Sequence, residues 1–163
     1  MNPDQDITMK SQENLKKIKY MKAALKEAEK AALIDEVPVG AVVVYHDKII
    51  ARAHNTREKT QSFHAHAEFL AMMKAAKKIG SWRLEDCDVY VTMEPCPMCA
   101  GAMIQSRIRR LFYGASDPKA GCVSSVAKLL EIPFNHHIDV ESGILAEESQ
   151  QLIKKFFQKL RKK

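Results

Sequence analysis

The apolar positions Leu15, Ile18, Met21, Leu25, Ala28 and Ala32 recur at helical spacing with lysines between them, which predicts an amphipathic first helix. That helix should stop before Pro38, because the residue ahead of a proline is pushed out of the α region. Residues 1–12 are polar without this period and are expected to form a disordered leader to a single domain over residues 13–163. The β-branched run 40–45 (GAVVVY), a turn at His46-Asp47-Lys48 and a second run over 49–53 predict a hairpin. Residues 65–79 have a helical pattern that ends at Gly80, and 88–93 (DVYVTM) is a buried strand. Pro95 and Pro97 open a helix over 98–106, since proline is favourable in a first turn. A strand over 110–114, a short helix over 125–130, a strand over 138–140 and an amphipathic helix over 146–160 complete the chain. Strands alternating with helices after a hairpin predict an α/β fold, a three-layer α/β/α sandwich around a mixed sheet of about five strands.

Composition agrees with one globular domain. The chain has 163 residues, 46% hydrophobic and 28% charged, which excludes disordered and low-complexity classes. No apolar run is long enough to span a membrane, and the N-terminus has no secretory pattern, so a cytoplasmic location is expected. The net charge is +6, and the last ten residues carry Lys154, Lys155, Lys159, Arg161, Lys162 and Lys163 with no acid, so the remainder is neutral. Such a tail can follow a polyanion backbone, or it can simply be a solvated helix end.

The candidate chemistry lies in two short motifs. Without a secretory signal, Cys96-Pro97-Met98-Cys99 reads as metal-binding or redox rather than as a structural disulfide. At a helix N-terminus the local positive potential favours thiolates, which are zinc ligands. His66-Ala67-Glu68 opens the preceding helix and offers a third ligand with a carboxylate on another side. Three protein ligands and one open position describe a catalytic zinc site, whereas a closed structural site would need His64, Cys87 or Cys122 as a fourth ligand. His-x-Glu followed by Pro-Cys-x-x-Cys is the signature of zinc-dependent nucleobase deaminases.

Around these motifs stand Glu36-Val37-Pro38-Val39-Gly40-Ala41, Ala53-His54-Asn55, Gly80-Ser81-Trp82-Arg83-Leu84 and Glu94-Pro95-Cys96-Pro97-Met98-Cys99. Ser106-Arg107-Ile108, Asp117-Pro118-Lys119, Phe134-Asn135-His136 and Phe156-Phe157 follow. With them the sequence resembles the bacterial tRNA-specific adenosine deaminases, in the cytidine-deaminase-like superfamily. The resemblance implies one zinc ion per subunit on His66, Cys96 and Cys99, with Glu68 carrying protons. It implies hydrolysis of the wobble adenosine of an arginine tRNA anticodon to inosine, with attack at C6 of a flipped-out base. Asn55, Val37 and Ala67 would hold the target nucleotide, Asp117, Phe157 and Arg161 would meet flanking nucleotides, and the enzyme would be a homodimer. The rivals are a deaminase of free guanine or cytosine and a non-catalytic zinc-stapled RNA-binding module.

The sequence departs from that family's usual pattern at Phe63-His64, ahead of the ligand, at His137, where an arginine is usual, and at Ser124-Ser125-Val126. His64 is expected to face solvent or a hydrogen-bond partner, and His137 to make one RNA contact weaker or pH-dependent. His46 and His54 are expected on the surface, Trp82 as a packing anchor, and Cys87 and Cys122 as small buried hydrophobes.

Overall fold

The computed structural model describes residues 2–162; Met1 and Lys163, the two ends of the expected leader and tail, lie outside the described residues. The elements are α1 (Pro3–Leu33), β1 (Gly40–Tyr45), β2 (Lys48–His54), α2 (Arg57–Thr60), α3 (Ala67–Ile79) and β3 (Cys87–Met93). They continue with α4 (Pro97–Ser106), β4 (Arg110–Ala115), a 3₁₀ turn (Leu129–Glu131), β5 (Asp139–Glu141) and α5 (Ala146–Arg161).

The five strands form one mixed sheet in the order β2-β1-β3-β4-β5. β1 runs antiparallel to β2 and β3, while β3, β4 and β5 are mutually parallel. Because successive strand side chains alternate in direction, β1 serves two cores. Ala41 and Val43 join Val89, Val91, Leu111 and Tyr113 beneath α3 and α4, where Ala71, Ala75, Ala100 and Met103 are buried. Val42 and Val44 join Tyr90 and Phe112 on the other face, beneath Tyr20, Met21 and Ala24 of α1. α5 packs beside α1 on that second face, so helices cover both sides as the pattern predicts. Gly40 lies where α1 crosses β1; a Cβ there would sit 2.0 Å from the Ala24 carbonyl oxygen.

Four expectations are corrected. Residues 3–12 are helical rather than a disordered leader. The Asn2 side chain accepts from the Asp4 N–H (3.1 Å), Pro3 sits in the first turn, and Asp4 and Asp6 face the helix N-terminus. The helix ends at Leu33, short of Pro38, because Asp35 turns left-handed (φ 59°). The expected helix over 125–130 shrinks to the 3₁₀ turn at 129–131, since the Val126 and Leu129 N–H groups bond back to the Gly121 (2.9 Å) and Cys122 (3.1 Å) carbonyls instead of to carbonyls four residues earlier. Trp82 is 59% exposed with Arg83 stacked on its ring, so it is not the packing anchor expected of it. His54 is half-buried rather than surface, because its Nδ1 meets the buried Glu27 carboxylate at 2.8 Å.

Cys87 and Cys122 are buried as expected. Among the described residues no helix is long and apolar enough to cross a membrane.

Candidate active site

Two helix N-termini face one another at one end of the sheet. His66 is the cap residue of α3, with Glu68 in its first turn; Cys96 caps α4, with Cys99 in its first turn. The His66 Nδ1 lies 3.5 Å from the sulfur of Cys96 and 3.5 Å from that of Cys99. These three side chains form a group able to hold a metal ion, each offering one ligand atom within 4.8 Å of the others. His64, Cys87 and Cys122 are not part of it. His64 instead sits between the rings of Phe63 and Phe69 (5.9 and 5.6 Å).

The electrostatics fit a cation at this point. The bond donated by the Cys99 thiol holds the Cys96 thiol down at about 4, while that contact with Cys96, and then burial, push Cys99 far up. The contact with Cys96 also raises the imidazole of His66. Two thiolates side by side therefore need a positive charge between them, which a metal ion provides. Burial raises the carboxyl of Glu68 to about 7, the range in which a carboxyl exchanges protons readily at neutral pH.

A cleft of about 460 Å³ opens over this group, a size suited to a small ligand. Val37, Asn55, His66, Glu68, Cys96, Asp117 and Phe157 line it, so the structure gathers most of the residues singled out from sequence. Asn55 ties three of them together: its Nδ2 donates to the Val37 carbonyl (3.1 Å) and its Oδ1 accepts the Ala67 N–H (2.8 Å). Ala67 and Cys99 are buried behind the lining. Arg161 is not among the lining residues; its Nε turns back to the Phe157 carbonyl (3.3 Å). His137 lies at the opposite end of the sheet, beside β5 and paired with Asp139 (2.9 Å).

Several lining residues are not among the site residues expected from the sequence. Phe156, Arg57 and the buried pair Glu36 and Glu94 all reach the cleft. Glu36 accepts the N–H groups of Glu58 (3.0 Å) and Lys59 (2.7 Å), which holds α2 and its Arg57 at the rim. Glu94 gathers five donors from residues 117 to 125, and these hold its carboxyl down at about 2 despite burial. Glu36 and Glu94 stand in motifs quoted from the sequence, but their partners lie 22 to 31 residues away, so those motifs do not show them as tethers.

Comparison with known proteins agrees with the geometry. The MafB19-like deaminase family matches residues 15–161. A tRNA-specific adenosine deaminase of Bacillus subtilis (strain 168) is 53% identical over 145 residues, covering 88% of this chain and 90% of the relative. A solved structure from work on A-to-I editing by tRNA:A34 deaminases at the wobble position of transfer RNA superposes with a TM-score of 0.79 at 45% identity, covering 82% of this chain and 97% of that one. A guanine deaminase from Bacillus subtilis matches less extensively, with a TM-score of 0.58 at 37% identity over 60% of this chain and 63% of that one. The chain belongs to the MafB19-like deaminase family and, within it, stands with the tRNA-specific adenosine deaminases.

Proposed function

We propose that this protein hydrolyses adenosine to inosine at the wobble position of a tRNA anticodon, using one zinc ion per subunit. The observation that carries the reading is the His66–Cys96–Cys99 group opening into a cleft beside the buried carboxyl of Glu68. One imidazole and two thiolates are a zinc donor set, and tetrahedral zinc with ordinary bond lengths needs nitrogen and sulfur about 3.5 Å apart. Both such distances here are 3.5 Å. The chemistry zinc supplies when bound is activation of a water molecule for attack on C6 of the purine.

The protein's own residues do the rest. Glu68, its carboxyl raised to about 7 by burial, takes one proton from the attacking water and delivers it to the ring nitrogen beside C6, then takes the second from the hydroxyl now on C6 and delivers it to the amine, so that inosine keeps its ring N–H and the amine leaves as ammonia. Asn55, anchored to Val37 and Ala67, keeps spare hydrogen-bonding capacity for the sugar and base of the flipped nucleotide. Val37 walls the base, while Asp117 and Phe157 line the cleft toward the flanking nucleotides. Phe157 is 40% exposed, which leaves a face for base stacking, worth roughly 1–3 kcal/mol. Arg161, one turn beyond it on α5, serves the phosphate backbone with the exposed lysines of that helix. The substrate is the anticodon stem-loop of an arginine tRNA, and the setting is the cytoplasm.

The active form is a homodimer. A groove on α3 and α4 lined by Phe69, Met72, Met73, Trp82 and Met98 supports this, with Met73 53% exposed and Trp82 59%. A second copy of the same face is the occupant we assign to it.

Ammonia release from an adenosine-containing arginine anticodon stem-loop, free guanine and free cytosine, run in parallel, tests the substrate. Turnover of the stem-loop alone is expected; turnover of a free base alone contradicts the reading. The basic helix supplies a second check. Replacing Lys155, Lys159 and Lys162 by Gln should raise KM for the stem-loop. It should also flatten the dependence of log KM on log salt by about 0.7 for each phosphate that a lysine no longer neutralises. Unchanged KM and slope would make the helix end a solvated surface.

A further inference from the structure

The segment between β4 and the 3₁₀ turn has no regular secondary structure over residues 117–125, yet it forms one wall of the cleft through Asp117 and Ala120. One side chain accepts five of the hydrogen bonds that hold it. Oε1 of Glu94 accepts the Asp117 N–H (3.0 Å) and the Ser125 hydroxyl. Oε2 accepts the N–H groups of Val123 (3.1 Å), Ser124 (2.9 Å) and Ser125 (3.0 Å). The loop closes so tightly on this carboxylate that a Cβ at Gly121 would lie 2.3 Å from its carbon and 2.4 Å from each oxygen.

The other end of the tether is the metal turn. Glu94 donates its N–H to the Ala115 carbonyl (2.8 Å), and the next residue, Pro95, accepts the Cys122 N–H (2.8 Å). Cys96 follows directly. Ser124 adds a second fastening, its hydroxyl meeting that of the buried Tyr113 at 2.7 Å. Asp117 in turn closes its own bend by accepting the N–H groups of Lys119 (3.1 Å) and Ala120 (3.2 Å) on Oδ1. The Asp117 backbone itself is joined to the metal turn by its N–H bond to the Glu94 carboxylate.

We propose that Glu94 is a positioning residue for substrate recognition: its carboxylate fixes the 117–125 loop against the Pro95–Cys96 turn and so presents Asp117 to the nucleotide flanking the target base. This deepens the tRNA deaminase reading and rests on it. The carboxylate offers only acceptors to its five donors, so an amide in its place turns donors toward donors. Chemistry at the reacting carbon depends on the ligands and Glu68, whereas docking of the flanking nucleotide depends on the loop.

The test is a double-mutant cycle read as KM against kcat on the stem-loop, with metal content measured alongside. Glu94→Gln should raise KM at least tenfold, keep kcat within threefold and retain the metal. Asp117→Ala should raise KM in the wild-type background and add nothing further in the Glu94→Gln background. Gly121→Ala leaves the carboxylate's chemistry intact but displaces it, so it should reproduce the KM-selective defect and serves if Glu94→Gln fails to fold. A loss of kcat or metal with KM unchanged, or an additive effect of Asp117→Ala, would overturn the proposal. Amide exchange gives a readout free of substrate: in either loop variant the N–H groups of Asp117, Val123, Ser124 and Ser125 should exchange at least tenfold faster while those of α4 do not. Unaltered exchange at these four amides overturns the tether. If the wild-type protein turns over no RNA, the substrate reading and the presentation of Asp117 to RNA fail together, and exchange still decides the tether.

Discussion

Glu68→Gln should reduce inosine formation by about 10²- to 10⁴-fold, the range that a positioned general acid–base supplies. The substitution keeps the side chain's shape, and Glu68 is not one of the three residues that group as metal ligands, so metal content and stem-loop affinity should stay at wild-type levels. The size of the effect follows from the site. Glu68 is 4% exposed, and burial lifts its carboxyl to about 7, so it both accepts and releases a proton near neutral pH. An amide can do neither. Retained turnover would remove Glu68 from the proton path, and a simultaneous loss of metal would show that it supports the ligands instead. Rate measurement beside metal analysis and a binding titration separates these outcomes.

Cys99→Ala should lose the metal, abolish deamination and lower the melting temperature. Cys99 is fully buried in the first turn of α4, and its sulfur is 3.5 Å from His66 on α3, so the ion fastens two helices as well as serving the reaction. An ion present at about 1,000 times its Kd stabilises the folded state by about 4 kcal/mol. For a chain of this size that corresponds to a fall in Tm of roughly 10 °C. Chelation of the wild-type protein should produce the same shift, reversed by added zinc. A chelator that changes neither Tm nor activity would mean that Cys96 and Cys99 act as thiols and that no metal serves this site.

The parts of the molecule legible in the sequence are those determined within a few residues. Gly80 ends α3 with φ 81°, the prolines open α4, and the hairpin strands follow their β-branched runs. The ligand group is legible for a similar reason, because each half is a local motif at a helix start. What escapes the pattern depends on contacts between distant segments. Glu94 meets Ser125 across 31 residues, and Glu36 meets Glu58 across 22, so neither can be seen as a tether from its neighbours. The helix expected at 125–130 is lost in the same loop, where the Val126 and Leu129 N–H groups turn back to the Gly121 and Cys122 carbonyls.

The N-terminal helix is hidden differently. Its capping residues are present in the sequence, but its first turns are exposed, so no apolar stripe marks them. Trp82 shows the converse: a lone tryptophan suggests a core, and here it faces out beside Met73 on a surface that a single chain leaves uncovered.

The most direct test of the account is to incubate a tRNA transcript bearing adenosine at the wobble position with the zinc-loaded protein in ¹⁸O-water. The product is then digested and its nucleosides are weighed. Hydrolysis at C6 predicts inosine at that position carrying one heavy oxygen, and none from the Glu68→Gln protein under the same conditions. Adenosine left intact while free guanine is deaminated, or inosine formed without the heavy oxygen, would contradict it.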